Sequence, residues 1–238
     1  MNKEIIKNNL NLEISENIET SLNKFAELFL EYNAHTNLMS KNDVEVLFEK
    51  HIFDSLAINL FLDKYPSFKN NQISMLDIGT GGGFPSLPVS IAFDNIEVVA
   101  LDSISKKIEF IRSAKDSLNI KNINPLCSRV EDLSSSLKSS FDIVTSRAVS
   151  DLNVLLEYAI PFLKVGSYFI AYKSKNVDSE IELSKNALKV LGAKVIEKIE
   201  YKLPLDSDFT RYLLVIKKEK ETPKSYPRQN GQPKKNPL

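Results

Sequence analysis

Two acids in this chain stand where a carboxylate could do chemistry, Asp77 and Asp102. Asp77 lies in a short apolar run, Ile73 to Ile78, and four glycines follow it within five positions, Gly79, Gly81, Gly82 and Gly83. Glycine takes positive φ without strain and has no Cβ to hold a ligand off the backbone. An apolar run, a sharp glycine turn and a helix-compatible stretch from Pro85 to Ala92 together describe a strand–loop–helix nucleotide site. Asp102 closes the next apolar run, Val98 to Leu101, 25 positions after Asp77. A carboxylate at that place meets the ribose hydroxyls of a bound nucleoside.

The spacing narrows the ligand. A dinucleotide fingerprint, G-x-G-x-x-G, needs a third glycine for close helix–strand packing. Counted from Gly79 that position is Phe84, and counted from Gly81 it is Ser86. No lysine completes a G-x-x-x-x-G-K-[ST] phosphate loop either. What remains, D-x-G-x-G-x-G on Asp77, Gly79, Gly81 and Gly83, resembles the first motif of the S-adenosylmethionine (SAM) methyltransferases. SAM carries no pyrophosphate, so its loop calls for an acid facing the amino acid moiety. The competing reading is a tight turn in some other α/β domain.

The elements that must position these residues follow from periodicity. Ile14, Ile18, Leu22, Phe25, Phe29 and Tyr32 form one helical stripe, expected to end near Asn33. A second helical pattern runs from about Val44 to Phe61, with Asn42 and Glu45 as a capping pair. A polar linker, Pro66 to Gln72, leads to the first strand, Ile73–Ile78. Further strands are expected at Val98–Leu101, Ile123–Cys127, Phe141–Ser146 and Tyr168–Tyr172. Helices are expected at Ser105–Leu118, Leu152–Leu163 and Val177–Leu191. Val195–Tyr201 and Tyr212–Ile216 read as a closing hairpin around Pro204–Thr210. This alternation predicts an α/β fold with a doubly wound, mostly parallel seven-stranded sheet and an N-terminal helical extension. The divisions are residues 1–72 for the extension, 73–218 for the nucleotide domain and 219–238 for a basic, proline-rich tail. That tail has no apolar periodicity and is expected to be loosely ordered.

Ligands in such sheets sit outside the carboxyl ends of the strands. Those ends read Gly79 to Phe84, Asp102-Ser103-Ile104, Arg129-Val130-Glu131-Asp132 and Ser146-Arg147-Ala148. Val130 and Glu131 would flank an adenine, by apolar contact and a hydrogen bond near its amino group. Phe84 either lines the methionine side or packs on the N-terminal helices. Arg147, at a buried strand end, needs a partner: an acid such as Asp77 or Glu131, the cofactor, or the substrate's phosphate or base. His51 and Asp54 on one helix face read as a mutually satisfied pair, the alternative being substrate orientation. Cys127 follows Leu126 in the third strand and reads as a small core residue.

The motifs that are missing also inform. After the fourth strand, T-S-R-A replaces the [DNS]-P-P-[YFW] signature of amino-directed DNA methyltransferases, and no Pro-Cys or Thr-Cys nucleophile is present. DNA is therefore not the expected substrate. No general base stands out, which suits an acceptor that needs none, such as a purine N7. No cysteine-rich metal site can be assembled from one cysteine.

Thirty-one bases balance thirty-one acids over 238 residues, but Lys217 to Leu238 holds seven bases and two acids. Lysines and Arg228 in a proline-spaced segment suit phosphate contacts. No apolar run approaches the roughly 20 residues of a membrane span, and the N-terminus lacks a signal-peptide core. The expectation is a cytoplasmic protein in a reducing compartment, without membrane association, acting as a monomer.

Several segments together resemble a known family. They are N-L-M-S-K-N-D (37–43), E-K-H-I-F-D-S-L-A (49–57), L-D-I-G-T-G-G-G-F-P-S-L-P (76–88), D-S-I-S-K-K-I-E-F-I-R (102–112), T-S-R-A (145–148) and Y-P-R-Q-N-G-Q-P-K-K-N-P-L (226–238). The chain is similar across nearly its whole length to the bacterial small-subunit ribosomal RNA methyltransferase G family, also called glucose-inhibited division protein B. The resemblance implies SAM-dependent transfer to N7 of a guanosine in the decoding-region loop of 16S rRNA, within the 30S subunit or an assembly intermediate. It implies cofactor contacts at Gly79, Phe84, Asp102, Ser103, Ile104, Val130, Glu131 and Arg147, besides Asp77 and Gly81 of the loop. Arg147 is also the candidate for substrate positioning, and no catalytic base is assigned. The sequence departs from the family pattern in having Gly82 where a small residue is usual and Ser86 where glycine is usual. The rival readings are a SAM enzyme for a small metabolite and a non-catalytic SAM-fold protein of ribosome assembly.

Overall fold

The structure, a computed structural model, describes residues 2–133, 135–147, 150–205 and 209–238. The strands are β1 (Ile73–Ile78), β2 (Ile96–Asp102), β3 (Ile123–Cys127), β4 (Phe141–Arg147), β5 (Leu163–Lys173), β6 (Ala193–Lys202) and β7 (Thr210–Lys218). They form one sheet in the order β3-β2-β1-β4-β5-β7-β6. The first five are parallel, and β7 runs antiparallel between β5 and β6. The expected α/β, doubly wound, mostly parallel seven-stranded sheet is thus the observed one. Residues 206–208 of the hairpin connection, and Ala148 after β4, lie outside the described residues.

The strand period of two assigns each side chain to a face. On β1, Ile73 and Met75 enter one core while Leu76 and Ile78 enter the other. Asp77 therefore points to the face of Ile73 and Met75. By the same alternation Arg147 shares the face of Ile143. That face is covered by the N-terminal helices: α1 (Lys3–Leu10), α2 (Glu16–Thr36), α3 (Lys41–Glu45), α4 (Phe53–Leu56), α5 (Ile58–Lys64) and α6 (Pro66–Asn70). Their Leu22, Phe25, Phe29, Phe53 and Phe61 belong to the same core cluster as Ile73 and Met75. The extension and the sheet share one interior, and burying each such side chain contributes about 1.5–3 kcal/mol.

Local differences from expectation have local causes. The helix α2 runs on to Thr36 and ends on Asn37 in the left-handed conformation, which asparagine tolerates. The single helix expected from Val44 to Phe61 is interrupted by a π-helical turn, Leu47–Ile52. Its start is capped by Ser40, which accepts the Asp43 N–H at 3.2 Å, and not by Asn42. The linker expected at Pro66 becomes α6, helped by a proline at its first turn. Along the sheet follow α7 (Ser86–Ala92), α8 (Ser105–Ser117), α9 (Leu152–Ala159), α10 (Val177–Leu183) and α11 (Lys185–Leu191). The last two replace one expected helix. They part at Ser184, whose hydroxyl donates to the Glu180 carbonyl at 2.7 Å, a bond that bends helices. Cys127, expected in the core, is exposed at the end of β3 on the sheet edge.

The largest correction concerns the tail, which is docked on the fold. Arg228 grips Glu157 of α9, a residue with no exposure. Its Nε donates to Oε1 at 2.8 Å and its Nη2 to Oε2 at 2.5 Å, and the Arg228 backbone N–H also reaches Oε1 at 2.8 Å. Lys138 donates to the carbonyls of Lys224 and Tyr226. The tail ends in α12 (Gln232–Lys235), where Pro233 is buried. Reading only its lack of periodicity missed that one buried acid can anchor a polar segment. No described helix is long and apolar enough to cross a membrane.

Candidate active site

A cavity of about 470 Å³ opens at the carboxyl ends of β1, β2, β3 and β4. Its size suits a small ligand, and such sites combine apolar walls with a few placed polar groups. Ile78, Leu101, Ile104, Val130 and Tyr158 give the apolar part; Asp102, Ser103, Glu131 and Arg147 give the polar part. Of the expected site residues, the structure brings Gly79, Asp102, Ser103, Ile104, Val130, Glu131 and Arg147 onto this one wall. Asp77, Gly81 and Phe84 do not reach it.

Asp102 is nearly buried and ordered by the backbone. Its Oδ2 accepts the Gly81 N–H at 3.0 Å and its Oδ1 accepts the Ile104 N–H at 3.0 Å, with Lys107 Nζ 3.4 Å away. Gly81, at φ 60°, turns that N–H toward the carboxylate. A carboxylate has about four acceptor sites; two take backbone N–H groups and a third the longer Lys107 contact, so Asp102 keeps room for a further hydroxyl donor. This donor set fits a nucleoside cofactor: a fixed carboxylate for a ribose diol, and Val130 and Glu131 beside it for a base.

Asp77 has a different place. It is fully buried, with Ser86 Oγ donating to Oδ2 at 2.6 Å and Thr145 Oγ1 to Oδ1 at 3.2 Å. Thr145 is its in-register neighbour on β4, and Thr80 donates to Ser86 at 2.9 Å. Ser86 thus completes the hydrogen bonding of the acid. Burial pushes the Asp77 carboxyl up to about 6, against the opposing pull of those hydroxyls. Its folded state then holds a proton more tightly than the unfolded chain, so this contribution to stability is complete below about pH 4 and is lost as pH rises through 6. The change is worth roughly 2–3 kcal/mol. Asp77→Asn keeps both contacts, because hydroxyls also accept. It is expected to unfold at higher urea than wild type at pH 8, with the gap closing at pH 4.5. Parallel denaturation midpoints at the two pH values would refute this role.

Phe84 packs against the N-terminal helices, one of its two expected fates. Its ring centre lies 5.3 Å from those of both Phe25 and Phe29, and the Arg147 guanidinium stands 5.4 Å from it. The same aromatic cluster explains Gly82: a Cβ there would stand 2.5 Å from a Phe29 ring carbon. Phe29 is fully buried and cannot yield cheaply. Gly82→Ala is expected to destabilise the fold by about 1–3 kcal/mol; a melting temperature equal to wild type would contradict it.

Arg147 pairs with neither Asp77 nor Glu131. Its Nη1 donates to Asp54 Oδ2 at 3.1 Å, and lies 3.4 Å from the carbonyls of Lys50 and His51. Its Nη2 meets His51 Nδ1 at 2.9 Å. Asp54 also accepts from the Tyr201 hydroxyl at 2.6 Å. His51 and Asp54 are therefore partners of Arg147 and not of each other. An arginine only donates, so Nδ1 of His51 is the acceptor and Nε2 carries the proton. Burial, followed by the Arg147 charge, lowers the His51 pKa to about 4, leaving a neutral ring.

The cavity wall also holds Lys107, Ser128, Arg129, Tyr158, Gly231 and Lys234. Lys107 was not singled out from the sequence, although it lies in the D-S-I-S-K-K segment, the one signal that could have pointed to it. Gly231 and Lys234 come from the tail, read from sequence only as a phosphate-binding segment. Gln229 ties that tail to the Glu131 carbonyl.

This fold, with its glycine loop after β1 and a carboxylate at the end of β2, is that of the SAM-dependent methyltransferases. A SAM-dependent methyltransferase from Aquifex aeolicus superposes with a TM-score of 0.50 at 18% identity, over 65% of this chain and 87% of that one. The M. jannaschii protein TYW2, in complex with AdoMet, gives 0.51 at 18% identity over 65% and 72%. Residues 18–203 match the family model of rRNA small subunit methyltransferase G. The ribosomal RNA small subunit methyltransferase G of Lachnoclostridium phytofermentans is 41% identical over 90% of this chain and 87% of its own length. The chain belongs to the rRNA small subunit methyltransferase G family.

Proposed function

We propose that this protein transfers a methyl group from SAM to N7 of a guanosine in the decoding-region loop of 16S rRNA. It would act in the cytoplasm, as a monomer, on the 30S subunit or an assembly intermediate. The observation that carries the choice of acceptor is the pairing around Arg147. Asp54 is taken by Arg147 and Tyr201, Asp43 is taken by Lys50, and His51 spends its lone pair on Arg147. These groups leave no free base where the substrate would arrive. A purine N7 needs none, because its lone pair is nucleophilic without prior deprotonation.

When bound, SAM supplies an electrophilic methyl on a sulfonium. The residues of this chain hold and orient. Asp102 accepts from the ribose hydroxyls, with Ser103 and Ile104 beside it. Val130 and Glu131 take the adenine, and Gly79 lets the cofactor approach the backbone. Asp77, Gly81 and Phe84 act behind the wall: Asp77 fixes the loop to α7 and β4, Gly81 holds Asp102, and Phe84 joins the loop to α2. Arg147, between cofactor and substrate, positions the reacting pair, a contribution for which misplacement by about 1 Å can cost on the order of a hundredfold. The test is mass-spectrometric mapping of methylated 16S rRNA nucleosides from cells with and without the protein. Loss of one 7-methylguanosine in the decoding-region loop is expected, and an unchanged map would refute the reading.

A further inference from the structure

A second cavity, of about 390 Å³, lies on the other side of Arg147. Arg147 lines both cavities, so ligands in the two would lie beside one guanidinium. Transfer between them further requires their reacting atoms to meet at about 3–3.5 Å.

The charges of the second cavity are uneven in what they leave over. Its acids are all engaged: Asp43 with Lys50, Asp54 with Arg147, and Glu180 with Lys173. Two donors are not. Arg211 Nε and His51 Nε2 are buried and have no hydrogen-bond partner among the described residues. Arg211 forms no ion pair among the described residues, and the nearest carboxylate to His51 Nε2, Asp43 Oδ1, is 3.8 Å away. A buried unpaired donor costs free energy comparable to a lost hydrogen bond. Both residues line the cavity, so a turn of either side chain that brings its donor to an acceptor there would recover the missing bond. His51 is presented by the π-helical turn, Leu47–Ile52, a distortion that recurs at functional sites.

The geometry points to this second cavity as the pocket for the target nucleotide, with Arg211 binding a phosphate and His51 Nε2–H binding an acceptor on the base. The division follows charge. A guanidinium suits the anionic phosphate and forms the stronger, charge-assisted bond. The ring of His51 is neutral and suits the neutral base, whose O6 is an acceptor beside the N7 lone pair that must stay free for the methyl. Lys173 is paired with Glu180 on the same wall and the two charges cancel, which leaves Arg211 as the cation without a partner acid there among the described residues. The assignment rests on the reading of the protein as an rRNA guanosine methyltransferase, and gives that reading its substrate subsite.

The experiment compares wild type, Arg211→Ala and Arg211→Lys in methyl transfer to 30S subunits, with SAM affinity and melting measured on the same preparations. Arg211→Ala is expected to raise KM for the subunit by about 10- to 100-fold, the size of a lost hydrogen bond to a charged group, with SAM affinity unchanged. Arg211→Lys keeps the charge and the aliphatic stem but lacks Nε–H, so it is expected to give a smaller rise in KM and wild-type folding. It decides the matter if the alanine variant fails to fold. An active wild type whose folded Arg211 variants have unchanged KM, or lose only SAM affinity, overturns the pocket alone. A wild type that methylates no rRNA guanosine overturns the functional reading and the pocket together.

Discussion

Arg147→Ala is expected to lower the melting temperature by roughly 10 °C and to abolish most methyl transfer. The side chain is 15% exposed and its partner Asp54 only 5%. Removing the arginine leaves a carboxylate buried with a single remaining side-chain donor, the Tyr201 hydroxyl. Breaking a buried pair in this way costs about 3–5 kcal/mol, and in a chain of this size each kcal/mol moves the midpoint by about 2–4 °C. Nδ1 of His51 and the carbonyls of Lys50 and His51 lose their donor as well. Lysine is a poor replacement, because one ammonium cannot reproduce the planar fork that reaches both Asp54 and His51. Asp54→Asn added to Arg147→Ala removes the stranded charge and is expected to restore part of the melting temperature. It should not restore transfer, since the group between the two cavities is still missing. Thermal melts of the two variants beside wild type make the check. An Arg147→Ala midpoint within about 2 °C of wild type would remove the structural part of this role.

Arg147 also marks the limit of what the sequence made legible. Its position at a strand end, its need for a partner and its nearness to the cofactor loop followed from the period of β4 and from burial costs. The identity of the partner did not. Asp54 lies 93 positions earlier, on a helix whose continuity was itself misjudged because a π-helical turn leaves no clear mark in the hydrophobic pattern. The same division holds elsewhere. Asp102, Val130 and Glu131 fell on the cavity wall because strand ends are set by local alternation and by the parallel topology. Asp77 reads in sequence as an acid facing the ligand, whereas the direction of its side chain depends on the register of β1 against β4, which sets Thr145 beside it and keeps it off the cavity wall. Gly82 was noted only as a departure, and its cause is a ring from α2. Cys127 was placed inside by its strand, and the edge position of β3 exposes it. Pattern within a segment was legible; contacts between segments far apart in sequence were not.

Deleting residues 226–238 is expected to destabilise the fold and to weaken SAM binding, where composition alone predicted a loosely ordered tail. The deletion removes Arg228 and with it the hydrogen bonds that hold Glu157, a residue without exposure while the tail is docked. Water reaches part of the uncovered acid, so the cost is expected to fall below that of a buried pair broken in place, about 3–5 kcal/mol. It also takes Gly231 and Lys234 from the cavity wall and frees the Glu131 carbonyl from Gln229, loosening the segment assigned to the adenine. The two effects separate with one further change. Glu157→Gln in the truncated chain exchanges the stranded charge for a neutral amide, so melting is expected to recover while SAM affinity stays about tenfold below wild type, the loss of roughly one hydrogen bond's worth of wall contact. Calorimetric titration of SAM and thermal melting on the full chain, the truncated chain and the truncated Glu157→Gln chain give the answer. If the truncated chain melts with wild type, Glu157 does not depend on Arg228. If it binds SAM as tightly as the full chain, the tail only covers the cofactor cavity and contributes nothing to holding its ligand.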